Sequence, residues 1–162
     1  MNGPDDSLNI GKIGFVGVLI VNELKMGTGI VQRVEKQTMT SEQLIELTKD
    51  LIQHATHFDL PYVQQAYADK LLVVNVDENS GVMTMNKEQL VGFIQQNRDA
   101  KTEPFSTKTE FHYAVCEETM GMVIMTRELE MDGKWSRKFF TVIWEFAAGR
   151  WQIVKESSVV RG

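Results

Sequence analysis

The side chains of this sequence that could move a proton or stabilise an anion are few, and the clearest are His54, Tyr67 and Arg127. Histidine titrates close to neutral pH, so His54 would suit the role of a general base in a pocket that binds a substrate. A tyrosine hydroxyl or an arginine guanidinium could stabilise the anion that forms when the proton leaves. These residues are the catalytic candidates, for a proton-transfer or lyase reaction without a cofactor.

Further residues are candidates for contact with a bound ligand. Arg127 adjoins a methionine-rich apolar run, so we expect its charge to be paired with Glu145 or Glu156 on a following strand. Alternatively, Arg127 forms a cross-strand ion pair at the rim of the pocket. His112 and Tyr113 alternate on one strand, so only one of them can face a pocket. The ligand-binding candidates are Tyr62, His112, Phe140, Val142, Trp144 and Glu156.

Two other arrangements resemble reactive sites. His54 and His57 lie three residues apart near the end of a helix, a spacing that suits a metal, but no third ligand stands in a recognisable place. A cation at a helix C-terminus is the simpler interpretation. Cys116 lies between Val115 and Glu117, which offer no cationic activation, so an inert, half-buried thiol is expected. We therefore predict no metal and no cofactor.

The composition limits the classes of function. The chain has 162 residues, 43% of them hydrophobic and 24% charged, which is typical of a globular domain. Its net charge is -5 and its basic residues are scattered, so nucleic acid is not an expected partner. The apolar run 13–21 is too short to cross a membrane as a helix and favours a strand. A single cysteine suits a reducing compartment, so we expect a cytoplasmic protein.

Regular patterns begin near residue 39. Residues 1–38 are predicted to form an N-terminal extension, which could be an arm, a strand or a mis-assigned start, and residues 39–162 a single domain. Thr40 and Gln43 form a capping box that begins a first helix with an apolar stripe. A short second helix begins near Pro61 and is expected to end at 67 or 68.

A hairpin, a third helix and a run of strands are predicted to follow. The hairpin pairs residues 71–76 with 82–85, and Asn86 caps the third helix with Gln89 as its partner. Four strands without intervening helices then predict an antiparallel meander, so the fold class is α+β, with a curved, mainly antiparallel sheet wrapped around three helices as a cone. The strands are expected at about 107–118, 121–131, 135–147 and 150–158, with turns at Met120-Gly121, Asp132-Gly133 and Ala148-Gly149.

The strand from 135 to 147 is apolar on both faces. Phe140, Val142 and Trp144 share one face, and Phe139 and Ile143 share the other. Because helices can cover only the concave face, the convex face is predicted to meet a second copy of the chain in a homodimer. The residues expected at this contact are Phe139, Ile143, Trp151 and Ile153.

The segment from Met39 to Val159 resembles the nuclear-transport-factor-2-like (NTF2-like) superfamily, in particular its SnoaL-like bacterial branch. The resemblance lies in the order of the helices and hairpin and in the closing runs 141–144 and 149–154. It implies a cystatin-like cone whose mouth opens between the helices and the sheet. The superfamily includes ketosteroid isomerases, polyketide cyclases and dehydratases as well as pure binding and assembly modules, so fold alone does not determine activity.

The expected function is therefore the binding of a small, largely apolar molecule, with cofactor-free isomerase, cyclase or lyase activity as its catalytic form. The alternative is a non-catalytic dimerisation or assembly module whose cone is filled by its own side chains. An empty cavity of roughly a few hundred cubic ångströms with converging polar groups would favour binding, and a filled cone would favour assembly.

Overall fold

The computed structural model describes residues 20–26, 29–35, 38–131 and 133–161. The chain divides into two compact units, residues 1–37 and 38–162. In the first unit, β1 (Ile20–Met26) pairs antiparallel with β2 (Gly29–Glu35). Most of the strand predicted at 13–21 lies outside the described residues.

The second unit contains three helices and a six-stranded sheet with strand order β4-β3-β8-β7-β6-β5. The pair β3–β8 is parallel and the other neighbours are antiparallel, so the sheet is mixed, curved and unclosed. The predicted α+β cone is confirmed. Its elements are α1 (Ser41–Thr56), α2 (Leu60–Ala66), β3 (Tyr67–Val76), β4 (Val82–Met85), α3 (Lys87–Asp99), β5 (Thr109–Glu117), β6 (Met120–Met131), β7 (Lys134–Ala147) and β8 (Arg150–Arg161).

The helices begin where the caps predict. The Thr40 hydroxyl accepts a hydrogen bond from the Gln43 backbone amide at 3.2 Å, and the Gln43 side chain accepts one from the Thr40 amide at 2.9 Å. Asn86 and Gln89 form the same reciprocal box at the start of α3. Helix α2 ends at Ala66, so Tyr67 is the first residue of β3, which begins four residues before the predicted strand. This earlier start places the Tyr67 side chain on the sheet.

Of the predicted turns, one is confirmed and one is wrong. Ala148 and Gly149 both have positive φ, 51° and 79°, as a two-residue hairpin turn requires. The turn between β5 and β6 is made by Glu118 and Thr119, whereas Gly121 lies inside β6. A Cβ on Gly121 would lie 2.7 Å from Leu44 Cδ2, so the glycine permits close approach of α1. Asp132 of the third turn is outside the described residues.

The three helices pack against the concave face of the sheet. Leu44, Val63, Val123 and Val142 are fully buried there. The indole Nε1 of Trp144 donates a hydrogen bond of 3.2 Å to the buried Thr48 hydroxyl, which joins β7 to α1. Among the described residues, no helix is long and apolar enough to cross a membrane.

A β-bulge in β8 changes which side chains face the helices. Ile143 pairs with Lys155 and Trp144 pairs with Ile153, so Val154 has no partner in the register. The extra residue shifts the alternation of β8 by one position. Ile153 and Trp151 lie before the bulge and pair with Trp144 and Phe146 of the concave face, so Ile153 is fully buried there and the Trp151 ring packs against the core, 5.6 Å from that of Phe146. The prediction that Trp151 and Ile153 lie on the convex face is wrong. Phe139 and Ile143 do face outward there and are half-buried.

A second bulge lies in β5. Phe111 pairs with Met125 and Tyr113 pairs with Ile124, so His112 is the extra residue. Its Nε2 lies 2.6 Å from the Thr126 hydroxyl and its ring stacks 6.1 Å from that of Phe139, both on the outer face. Tyr113 is also exposed, and neither residue lines the cone. The expectation that one of the two faces the pocket is wrong, because a bulge breaks the strict alternation.

Candidate functional site

A cavity of about 610 Å³ lies between the helices and the concave face of the sheet. Its deep walls are buried side chains such as Val63, Val73 and Met125, and its rim includes Val82 and Met83 of β4, which are exposed. The volume is within the range of roughly 300–1,000 Å³ that small-molecule sites occupy. The space between the helices and the sheet is therefore large enough for a small molecule.

The helical wall and the sheet wall of the cavity differ in polarity. The helices contribute apolar residues and Thr56, whose hydroxyl donates to the Ile52 carbonyl at 2.7 Å within its own helix. All the charged residues that line the cavity come from the sheet or from the turn after β3. They are Asp77, Arg127, Lys138 and Glu156.

Tyr67 and Glu156 meet at the wall of the cavity. The Tyr67 hydroxyl donates a hydrogen bond of 3.3 Å to Glu156 Oε2. Burial, followed by the negative charge of Glu156, raises the pKa of Tyr67 well above its ordinary value, so the phenol remains a donor. Burial also raises the pKa of Glu156, although the charge of Arg127 and the Tyr67 hydrogen bond oppose the shift. The result is a carboxyl group that accepts a proton more readily than an exposed glutamate.

Arg127 supplies a positive charge to the same cavity. Its Nη2 donates to the Ser106 carbonyl at 2.9 Å, and its guanidinium carbon lies 5.6 Å from the centre of the Phe140 ring. Its Nε is buried and has no partner among the described residues. Burial lowers the pKa of Arg127, and the charge of Glu156 opposes that shift. The group remains a cation, since an arginine in a protein stays protonated.

The ion pair expected for Arg127 does not form within the described part of the chain. Glu145 pairs with Lys70 at 2.6 Å on another part of the sheet. The negative charge of Glu156 opposes the lowering of the Arg127 pKa, but no carboxylate oxygen of Glu156 lies within 4.0 Å of an Arg127 nitrogen, so the two do not form an ion pair. The Arg127 guanidinium, on the sheet wall of the cavity, therefore has a carboxyl group near it but none in contact. Such an arrangement marks a candidate binding group.

His54 lies outside the cavity. Its Nδ1 is 2.8 Å from Asp59 Oδ2, and its ring stacks on that of Tyr62 with centroids 4.0 Å apart. Asp59 also accepts a hydrogen bond from the Tyr62 amide and so caps α2. His54 therefore joins α1 to α2, and 42% of its side chain is exposed. Tyr62, half-buried beside it, does not line the cavity either, and burial raises its pKa to about 12.

The remaining candidates are divided between the cavity and the core. Tyr67, Arg127, Phe140 and Glu156 line the cavity. Val142 and Trp144 lie on the same face but are covered by helix α1 and the core, and His112 lies on the outer face. The sequence interpretation missed Asn75, which hydrogen-bonds Ser158, and Lys138. Lys138 lies two residues before Phe140 on β7, so the same alternation could have identified it.

Neither of the other reactive arrangements contributes to the cavity. His57 Nδ1 lies 2.7 Å from the Gln53 carbonyl of its own helix. Cys116 is half-buried, and burial raises the pKa of its thiol, which favours the less nucleophilic form.

No protein-family model matches the sequence, and no curated protein is significantly similar to it. Solved structures do show the same fold. An NTF2-like protein of unknown function from Silicibacter pomeroyi is 18% identical, with a TM-score of 0.59 over 76% of this chain and 100% of that one. An NTF2-like protein from Cytophaga hutchinsonii is 13% identical, with a TM-score of 0.60 over 76% of this chain and 100% of that one. One from Shewanella baltica is 12% identical, with a TM-score of 0.56 over 74% and 91%. The NTF2-like fold predicted from the sequence is confirmed, and the SnoaL-like branch stays a prediction.

Proposed function

We propose that residues 38–162 form a binding domain for a small, largely apolar molecule. The observation that carries this proposal is an apolar cavity of about 610 Å³ with Tyr67, Arg127 and Glu156 at its inner wall. A site that is mostly apolar and has a few convergent polar groups is the usual architecture of a small-molecule pocket. The open cavity also argues against the assembly module with a filled cone.

A cofactor-free isomerase, cyclase or lyase reaction is the catalytic form of this proposal. His54 does not line the cavity, so it is not positioned to act as a base on a molecule inside. Glu156 is the carboxyl group that could exchange a proton there, and the Tyr67 hydroxyl or the Arg127 guanidinium could stabilise an anion. Burial raises the pKa of Glu156 and so moves it towards the range useful for proton transfer.

The binding proposal is tested with the neutral dye N-phenyl-1-naphthylamine, which fluoresces in apolar pockets. We expect saturable fluorescence with the full chain and its loss in Ala55→Trp, because Ala55 lines the cavity from α1 and an indole would fill part of it. Gln53→Trp is the matched control, since Gln53 lies on the exposed side of the same helix. Equal binding by both variants, or no saturable binding at all, would contradict the proposal.

A second proposal concerns the outer face of the sheet, which we propose forms a homodimer contact. Phe139 pairs with Val159 of β8, and Ile143 pairs with Met122 of β6. Val159 is 46% exposed, and Tyr113 of the neighbouring β5 is 52% exposed. Apolar and aromatic side chains therefore extend across adjacent strands on a face that the helices do not cover. A second copy presenting the same face would bury them symmetrically.

Sedimentation velocity tests the dimer. Ile143→Arg places a charge near the centre of the outer face, and we expect it to convert a dimer to a monomer. Gln96→Arg adds the same charge to the exposed side of α3 and should leave the dimer intact. A wild-type chain that sediments as a monomer at micromolar concentration would contradict this proposal without affecting the cavity.

A further inference from the structure

The positive charge of Arg127 is the feature of the cavity that a purely apolar ligand would leave unused. The guanidinium lines the cavity, its Nε is buried without an acceptor, and no ion pair among the described residues includes it. Removing a charged group from water is unfavourable unless a counter-charge or hydrogen-bond acceptor replaces the lost solvent. The stacking on Phe140 and the bond to Ser106 replace only part of it.

We propose that the ligand is an amphipathic monocarboxylate, whose carboxylate lies between Arg127 and Glu156 and whose apolar part occupies the rest of the cavity. This inference rests on the proposed binding function and narrows its ligand class. An arginine is well suited to this role because its planar set of N–H donors matches the oxygens of a carboxylate. The apolar lining from the three helices matches the other part of the ligand.

Glu156 favours the same ligand through its own protonation. Burial raises the pKa of Glu156, and Tyr67 occupies its Oε2. When Glu156 is protonated, its O–H becomes a second donor towards the ligand, and Arg127 is left as the charge that the bound carboxylate neutralises. When Glu156 is ionised, its negative charge repels a carboxylate at the same place. Binding of a carboxylate is therefore coupled to protonation of Glu156.

The charged and titratable groups that face Glu156 come from several elements. Tyr67 approaches it from β3, Arg127 from β6 and Lys138 from β7, and Asp77 lies in the turn after β3 at the rim. The helices place no charged residue in the cavity lining. Tyr67 stays protonated because its pKa is raised, and Arg127 stays cationic, since an arginine in a protein remains protonated. We expect Glu156 to be the group whose charge changes with pH, because burial raises its pKa towards neutrality whereas the pKa of Tyr67 is raised further from it.

The experiment compares decanoate with decanamide as competitors for N-phenyl-1-naphthylamine in the full chain. The two molecules have the same apolar chain and differ in charge. We expect decanoate to bind more tightly by roughly ten- to hundredfold, the value of a charge-assisted hydrogen bond. We also expect its advantage to shrink as the pH rises, while the affinity for decanamide stays constant.

Two substitutions locate the effect. Arg127→Met removes the charge while keeping the length of the side chain, and should abolish the preference for decanoate. Glu156→Gln keeps a polar group that cannot ionise, and should abolish the pH dependence. Lys155→Met, which removes an exposed cation from the outer face of β8, is the matched control and should change neither property. Near-ultraviolet circular dichroism checks that each variant is folded.

The outcomes distinguish this inference from the binding function itself. If the dye binds but decanoate and decanamide compete equally, the carboxylate inference is wrong and the binding function stands. A preference that survives Arg127→Met but disappears in Lys138→Met would place the anion at Lys138 and would also overturn the inference. If the dye does not bind, the proposed function fails as well.

Discussion

Tyr67 and Glu156 are 89 residues apart in the sequence, but their side chains share a hydrogen bond at the inner wall of the cavity. Residue type was enough to nominate both of them, together with Arg127. The sequence did not show that they meet, because the meeting depends on the parallel pairing of β3 with β8, which no local pattern encodes. His54 is the opposite case: its chemistry suggested a base, but Asp59 and Tyr62 hold it outside the cavity.

The hydrogen bond from Tyr67 should control the protonation of Glu156. Tyr67→Phe removes a donor that stabilises the ionised carboxylate, so we expect the pKa of Glu156 to rise further. A titration of the side-chain carboxyl carbon by nuclear magnetic resonance would measure it. Tyr62→Phe serves as the control, because the Tyr62 side chain stacks on His54 instead and should leave this pKa unchanged.

Glu156 should also make the stability of the protein depend on pH. Its pKa is raised in the folded state above the ordinary value of 4.5, so the folded state binds this proton more tightly than the unfolded state does. The contribution of Glu156 to the free energy of unfolding is therefore largest below that value and is lost as the pH rises through the raised pKa. We expect the difference in free energy between wild type and Glu156→Gln to move in favour of Gln over that range. Urea denaturation at successive pH values measures it, and a difference independent of pH would contradict the prediction.

At the scale of elements, the first residue of a helix was easier to predict than the face of the sheet on which a strand residue lies. The caps at Thr40 and Asn86 are local, since each pairs with a residue three positions later, and both are present. The alternation on β7 was also predicted correctly, and it identified Phe140 as a lining residue. It failed on β5 because that strand contains a bulge at His112, and a bulge depends on pairing with the neighbouring strand. Trp151 and Ile153 were assigned to the wrong face because the register of β8 on β7, which pairs them with Phe146 and Trp144, was not predicted.

The contact between α1 and β6 should be sensitive to one methyl group. Gly121→Ala would place a Cβ 2.7 Å from Leu44 Cδ2, and Leu44 is fully buried, so it cannot move into solvent. We expect a loss of about 1–3 kcal/mol in the free energy of unfolding, the usual effect of overpacking. Gly92→Ala, in an exposed part of α3 with open space around it, should instead increase stability by about 0.5–1 kcal/mol. Chemical denaturation of both variants tests the pair, and equal effects would be inconsistent with a close contact at Gly121.

At the scale of the whole molecule, the second unit contains the elements that its fold requires. Its described core runs from Met39 to Ile153 and includes residues from each of its helices. The fold could be predicted because the order of helices and strands, read from capping boxes and alternation, leaves few arrangements that cover one face of a sheet. The homodimer and the cytoplasmic location stay predictions.

Residues 38–162 should therefore fold without residues 1–37. We expect the shortened chain to unfold cooperatively on heating, with a near-ultraviolet circular dichroism spectrum that retains the signal of the buried Trp144. It should also bind the neutral dye with the affinity of the full chain. Gradual, non-cooperative unfolding of the shortened chain would show that the first unit is needed for folding.

The bulge at Val154 determines which side chains in the second half of β8 face the helices. Ile153 before it and Glu156 after it both face inward, which a regular strand would not allow for residues three apart. Deleting Val154 would leave Ile153 opposite Trp144 and Lys155 opposite Ile143 in a regular ladder, so Ile153 and Glu156 would both still face inward. If Val154 were instead paired in the ladder, Glu156 would turn outward although no side chain had been changed. For β8, the position of the unpaired residue is thus as informative as the identity of its neighbours.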